Sequence, residues 1–193
     1  MKKFLMFILL IALTTSLNAQ SDYDCIGRNE FYILKTGSNL KSASQTKASQ
    51  IKSSKVAEQQ LGTNYKAKKQ FAETQDAYFN KMEYDDGLEL NIPEDQRLDM
   101  GFHIKSDKYI LRLANGQTIK VGMKSDDLKA IFPNSFSKKI TINNIKGKNG
   151  KVALRVYFSQ IYENKVLVED SWISFILSEE NGILEEFYSY EPS

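Results

Sequence analysis

Residues 172–190 of this 193-residue chain read WISFILSEENGILEEFYSY, and this stretch sets the type of fold that the sequence predicts. Asn181-Gly182 separates two runs, 172–177 and 183–190, that are rich in aromatic and aliphatic residues. Asn and Gly tolerate the positive φ that both central positions of a two-residue hairpin turn require. The stretch therefore predicts an antiparallel β-hairpin.

The same turn signal recurs upstream of this hairpin, at Asp86-Gly87, Asn115-Gly116 and Asn149-Gly150. The segments beside these turns alternate apolar and polar residues. Leu88, Leu90 and Ile92 form one such series, and the other is Val152, Leu154, Val156 and Phe158. Alternation of this kind is typical of strands with one buried and one solvated face, so the sequence predicts antiparallel meanders.

Two short helices are predicted among these strands. Residues 125–132 begin with Ser125 as a helix cap, carry acids in the first turn and stop at Pro133. Residues 54–61 have a similar pattern and stop at Gly62. A lysine-rich stretch and then strands follow each helix, and each half is basic first and acidic later. These features indicate an internal repeat.

The repeat predicts an α+β fold of two tandem units, each a short helix packed on an antiparallel β-sheet, behind a mobile N-terminal arm. The predicted divisions are a signal peptide at 1–19, an arm or linker at 20–53, a first unit at 54–105 and a second unit at 106–193. The arm is rich in Ser, Lys, Thr and Gln and has few large apolar residues.

The segment 119–128, which closes with Phe132-Pro133, resembles the opening of the repeat in β-lactamase inhibitor protein. It also resembles the small outer-membrane lipoproteins of the β-barrel assembly machinery. In both families a strand ends in a Gly-Met turn, here Gly122-Met123, and a capped short helix follows. The match covers about fifteen residues, with a weaker copy over 54–105. The weaker copy lacks the Gly-Met turn, and the paired cysteines often found in the inhibitor's repeats are absent. The resemblance implies a helix-on-sheet scaffold for protein binding and assigns no active-site residue.

The N-terminus has the pattern of a secretory signal peptide. Lys2 and Lys3 precede an apolar run over 4–13, and Ala19 is the small residue that a signal peptidase needs. The run is too short to span a bilayer, so cleavage after residue 19 is expected. The sequence therefore predicts a secreted or periplasmic protein with no transmembrane segment after cleavage.

Charge and cysteine content limit the kinds of ligand and of covalent cross-link that the sequence allows. Without Lys2 and Lys3, 24 of the 26 basic residues remain, and they balance the 24 acids. Secretion and a neutral mature chain argue against nucleic-acid binding. Cys25 is the only cysteine, so an internal disulfide is excluded. We expect a free thiol, with an intermolecular disulfide or a metal contact as alternatives.

Residues that could support catalysis are few. His103 is the sole histidine and lies in a predicted strand, so zinc would lack a second imidazole, and a structural or surface role is expected. Acidic pairs could act in glycoside cleavage or calcium binding. Adjacent strand residues point to opposite faces, so the Glu185-Glu186 pair cannot converge on one substrate. No catalytic residue, metal or cofactor is predicted. The acidic pairs are Asp85-Asp86, Glu94-Asp95, Asp126-Asp127, Glu179-Glu180 and Glu185-Glu186.

Two groups of residues are candidates for partner binding. The aromatic C-terminal hairpin offers Trp172, Tyr188 and Tyr190, which serve either in the core or as anchors for a partner. The basic stretch 65–71 offers Lys66, Lys68 and Lys69 beside aromatic residues. The sequence predicts a non-catalytic module that binds a protein, as an inhibitor, immunity factor or envelope-assembly accessory. The alternative is a binder of anionic envelope lipid or glycan through the basic stretches, and an enzyme using carboxylates ranks third.

Overall fold

The fold comes from a computed structural model that describes residues 22–37, 45–95, 97–142, 150–162 and 165–190. The predicted signal peptide and Asn149 lie outside these ranges. Within them the chain forms twelve strands and three short α-helices. The strands are β1 Cys25–Gly27, β2 Phe31–Lys35, β3 Tyr65–Ala72, β4 Ala77–Tyr84, β5 Leu88–Pro93, β6 Gly101–Ile104, β7 Tyr109–Leu113, β8 Thr118–Lys120, β9 Ile140–Ile142, β10 Lys151–Tyr162, β11 Lys165–Ser178 and β12 Leu184–Tyr190. The helices are α1 Ser54–Leu61, α2 Ser125–Ile131 and α3 Pro133–Ser137.

The strands form two sheets. The larger has nine strands in the order β1-β10-β11-β12-β6-β5-β4-β3, with β9 also paired to β10. Its neighbouring strands are antiparallel except β1 and β10, which run parallel, so the sheet is mixed. The smaller sheet has the order β2-β7-β8. Its Phe31 ring lies 5.9 Å from that of Phe102 and 5.8 Å from that of Phe158, so the two sheets share one core.

The predicted α+β fold of two tandem helix-plus-sheet units is wrong, because the structure is mostly β and one large sheet joins both halves of the chain. Strand β12, at the end of the predicted second unit, pairs with β6 of the first, with Tyr188 opposite His103. The helices are too small to organise units of their own. Helix α1 buries Ala57 and Leu61, and α2 buries only Leu128.

The turn predictions are confirmed where the structure describes them. Asp86-Gly87 joins the antiparallel pair β4 and β5, Asn115-Gly116 joins β7 and β8, and Asn181-Gly182 lies between β11 and β12. Both helices are also present. Helix α1 spans Ser54–Leu61 and stops at Gly62 as predicted, whereas the ends of α2 differ from the prediction. Ser125 is the first residue of α2 rather than its cap, and Pro133 begins α3.

Replacing Gly182 with valine is expected to lower the free energy of unfolding by about 1–3 kcal/mol, because Gly182 has φ +66°. A Cβ atom at this position would also lie only 2.9 Å from Oγ of Ser125. Gly116 is the matched control, since its φ is +86° but nothing lies within 4 Å of a Cβ atom there. Urea unfolding should show the larger loss for Gly182→Val. Equal losses would mean that the contact with Ser125 adds no strain.

Two neighbouring tyrosines in the core differ in the hydrogen bonding of their hydroxyl groups. The ring of Tyr84 lies 6.1 Å from that of Tyr109. The Tyr109 hydroxyl donates to the Asp86 carboxylate, whose Oδ2 is 2.6 Å from Nζ of Lys35. Burial raises the pKa of Asp86, but the hydrogen bonds from Lys35 and Tyr109 lower it more, so the net shift is downward. Among the described residues, the buried Tyr84 hydroxyl has no hydrogen-bond partner, and burial raises its pKa.

This difference predicts opposite effects of the same substitution at the two positions. Tyr84→Phe is expected to raise the free energy of unfolding by up to about 1 kcal/mol, because it removes an unsatisfied buried hydroxyl. Tyr109→Phe is expected to lower it by about 1–2 kcal/mol, because it removes a hydrogen bond to a charged group. Thermal and urea unfolding of both variants make the comparison. Destabilisation by Tyr84→Phe would show that its hydroxyl has a partner after all.

Candidate functional site

The large sheet has one face on the core and one face turned away from it, which we call the open face. Alternation sets the division: Leu88 and Leu90 of β5 are buried, and Glu89 between them is on the open face. Register then aligns open-face side chains from seven neighbouring strands in one row. The row is Lys66, Glu83, Glu89, His103, Tyr188, Ser174 and Arg155.

Aromatic side chains are concentrated on the open face. The ring of Tyr157 lies 4.8 Å from that of Tyr23 and 5.6 Å from that of Trp172. On the neighbouring strands, the rings of Tyr188 and His103 are 5.2 Å apart with edge-on geometry. All five side chains are half-buried. We call these five residues the aromatic strip.

Strand alternation explains why the C-terminal hairpin contributes to this strip. Phe175 and Phe187 are opposite each other and fully buried in the core. Trp172 and Tyr188 occupy the alternate positions of these strands, so they lie on the open face. They are diagonal neighbours on β11 and β12. Contacts with Ser174 and Arg155 help to hold the indole of Trp172 in place. Its Nε1 donates to Oγ of Ser174 at 2.9 Å, and the guanidinium carbon of Arg155 lies 4.6 Å from the ring centroid.

Tyr190, the third predicted aromatic anchor, is known here only by its backbone. It pairs opposite Trp172 at the end of β12, and its side chain lies outside the described part of the structure. Tyr23, Arg155 and Tyr157 were not among the residues predicted from the sequence to bind a partner. Arg155 and Tyr157 alternate with the buried Leu154, Val156 and Phe158 along β10, so their placement on the open face follows from a pattern present in the sequence.

The structure separates the three candidate lysines. Lys66 and Lys68 lie on the open face of β3, which is the last strand at one edge of the large sheet. Lys69 points to the opposite face, where its Nζ is 2.8 Å from Oε1 of Glu94 and 4.4 Å from the Tyr78 ring centroid. Lys66 is four strands from Tyr188, which corresponds to about 19 Å at the usual strand spacing. The aromatic and basic candidates therefore do not form one site.

Charges of both signs neutralise one another over much of the open face. Glu89 pairs with Lys105 and with Lys81, whose Nζ is 3.2 Å away. Burial raises the pKa of Glu89, but the two lysines lower it more, so the net shift is downward. Lys81 also pairs with Glu83 at 2.5 Å, and this hydrogen bond raises the pKa of Lys81.

A second apolar surface lies farther along the strand of Trp172, at the tip of the β10–β11 hairpin. Ile161 is opposite Val166 in the register, and these side chains are 75% and 66% exposed. Leu167 and Val168 beside them are also exposed. Among the described residues, the pairing of β12 with β11 begins at Trp172, so this tip extends past it.

The candidate chemical groups have ordinary structural partners. Nε2 of His103 lies 2.6 Å from Oε2 of Glu186, whereas the adjacent Glu185 pairs with Lys151. Sγ of Cys25 lies 3.8 Å from the Tyr23 carbonyl oxygen, which accepts its hydrogen bond. In the described ranges, no three His, Cys, Asp or Glu residues are grouped so that they could hold a metal ion. In the same ranges, no helix has the length and apolar character needed to cross a bilayer.

Comparison with family models, with curated proteins and with solved structures gave no match to this chain. The resemblance of residues 119–133 to the inhibitor and lipoprotein families therefore stays a prediction from the sequence.

Proposed function

We propose that this protein is a non-catalytic protein-binding module that acts in the periplasm or outside the cell, and that the aromatic strip with Arg155 is its binding surface. One observation carries the proposal: Trp172, Tyr157, Tyr188 and Arg155 lie together on the face of the large sheet that is turned away from the core. Trp, Tyr and Arg are the residue types enriched where protein interfaces concentrate their binding energy.

The strip suits binding because its side chains are already held in place. Each aromatic ring offers a large apolar area, and only part of it is buried in the free protein. Arg155 and Ser174 hold the indole of Trp172, so little side-chain freedom would be lost on association. The exposed apolar tip that contains Ile161 and Val166 adds a second contact region on the same hairpin.

The charges of the open face favour a protein partner over an anionic lipid or glycan. Proteins recognise anionic lipid through clusters of Lys and Arg side chains. On this face Lys81 and Lys105 pair with Glu83 and Glu89, and Lys66 and Lys68, which have no ion pair in the described ranges, are too few to form such a cluster. Lys69, the third lysine of the basic stretch, lies on the opposite face and pairs with Glu94.

Affinity capture from envelope and secreted fractions tests the proposal. Immobilised residues 20–193 should retain a protein that stays bound when salt is raised from about 0.15 to about 1 M, because screening weakens exposed charge pairs but not buried rings. Retention should fall in Trp172→Ala and Tyr188→Ala. Phe71→Ala is the matched control, because Phe71 is an exposed aromatic residue outside the strip. Capture that is unaffected by Trp172→Ala and lost at high salt would contradict the proposal.

A further inference from the structure

Strand β3 forms an open edge of the large sheet. It pairs with β4 on one side, and among the described strands none lies on its other side. Its eight residues span about 27 Å of extended backbone. Residues 66–71 are exposed on both faces, unlike those of the interior strands. An edge of this length offers backbone donors and acceptors to an added strand.

The register identifies which backbone groups point outward from this edge. The amide of Glu94 donates to the Tyr78 carbonyl at 2.9 Å, so the backbone of Tyr78 faces β5. Backbone groups alternate sides along an antiparallel strand, so Lys81 faces β3 and bonds with its register partner Lys68. The neighbouring Ala67 therefore directs its amide and carbonyl away from β4, toward the open edge.

The open face of β3 has positive charge that the structure leaves uncompensated. Lys68 lies opposite Lys81, a like-charge pair that is unfavourable across two strands, and Lys81 already pairs with Glu83 and Glu89. In the described ranges, no carboxylate forms an ion pair with Lys66 or Lys68. Glu83, opposite Lys66, pairs with Lys81 instead.

We propose that the edge of β3 binds an extended acidic segment of a partner protein, which adds to the large sheet as a further strand. Residues two apart on such a strand lie on one face, so alternate carboxylates would come beside Lys66 and Lys68. The outward amide and carbonyl of Ala67 would supply part of the backbone pairing. This surface is four strands from Tyr188 and does not depend on the aromatic strip.

A strand partner fits this edge better than a lipid surface does. Anionic membranes are recognised by clusters of about four to eight basic residues, whereas the described part of β3 presents only Lys66 and Lys68 on its open face. Lysines on an exposed edge also discourage pairing with an uncharged strand. An acidic strand would form ion pairs with these lysines. Lys66 and Lys68 therefore disfavour an uncharged strand and favour an acidic one.

The test uses a synthetic peptide of alternating Glu and Val, as long as β3, with an alternating Gln and Val peptide as the uncharged control. The first variant is Lys66→Gln with Lys68→Gln, and Lys69→Gln is its matched control because Lys69 already pairs with Glu94. The second is Ala67→Pro, which removes an outward amide at an edge position that tolerates proline. Phosphatidylglycerol vesicles are the competing probe, and circular dichroism checks that each variant is folded.

We expect binding of the Glu–Val peptide to fall at least about tenfold in the double lysine variant and in Ala67→Pro. Binding of the Glu–Val peptide should be unchanged in Lys69→Gln and in Trp172→Ala. The result therefore does not depend on whether the aromatic strip binds a partner. Equal binding of the two peptides, or full binding by folded Ala67→Pro, would overturn the proposal. So would vesicle binding that needs Lys66 and Lys68 without any peptide binding, which would assign the edge to anionic lipid.

Discussion

Replacing Phe175 with alanine is expected to lower the free energy of unfolding by about 3–5 kcal/mol, the usual cost of removing a large buried ring. Phe175 is fully buried in the C-terminal half of β11. Its ring lies 5.5 Å from that of Phe187 and 5.6 Å from that of Phe132, which lies between α2 and α3. The cavity would therefore open where the large sheet meets the helices, and urea unfolding measures the loss.

Tyr188→Ala is the matched control, because Tyr188 belongs to the same hairpin but lies on the open face. It should cost only about 1 kcal/mol, since its ring is half-buried and meets the His103 ring edge-on. A loss equal to that of Phe175→Ala would mean that the open face is packed like a core, and the aromatic strip would not be a surface.

Replacing Arg28 with alanine is expected to cost about 2–3 kcal/mol, because the partly buried Glu169 would lose its cation and Asp99 would keep only the longer ion pair with Lys52, at 3.3 Å. Nη1 of Arg28 is 2.6 Å from Oδ2 of Asp99, and Nε is 2.7 Å from Oε2 of Glu169. Nη2 donates to Oγ of Ser171 at 2.5 Å, and the guanidinium lies 4.8 Å from the Phe158 ring centroid. One side chain thus joins the segment after β1 to the loop before β6 and to β11.

Arg28→Lys separates charge from geometry in this network. Lysine keeps the positive charge but lacks the planar fork that contacts two carboxylates and a hydroxyl at once, so an intermediate loss is expected. The midpoints of urea unfolding at low salt give the comparison. Full stability in Arg28→Ala would show that these contacts contribute nothing to folding.

The local elements of this fold could be predicted, and the sheet order could not. Asn181-Gly182 and Asp86-Gly87 specify turns through the φ that they tolerate, and alternation specifies which side chains are buried. The pairing of β12 with β6 joins Tyr188 to His103, 85 residues apart, and no local pattern encodes such a contact. The two short helices were present as predicted, but with one or two buried residues each they could not define separate units.

The candidate surface was predictable to a similar extent. Trp172 and Tyr188 stood out as aromatic residues of the C-terminal hairpin, and alternation alone would have separated them from Phe175 and Phe187. The same rule separates Lys68 from Lys69, since adjacent residues of a strand face opposite ways. The contact of Tyr23 with Tyr157 depends on the pairing of β1 with β10. No local sequence pattern predicts this long-range pairing.

The affinity of one captured partner for the intact protein and for Trp172→Ala, measured by titration calorimetry, tests the central claim most directly. If the aromatic strip is the binding surface, Trp172→Ala should remain folded and lose at least about 2 kcal/mol of binding free energy, about thirtyfold in Kd. Phe71→Ala should bind as the intact protein does. Equal affinity of Trp172→Ala and the intact protein would contradict the account.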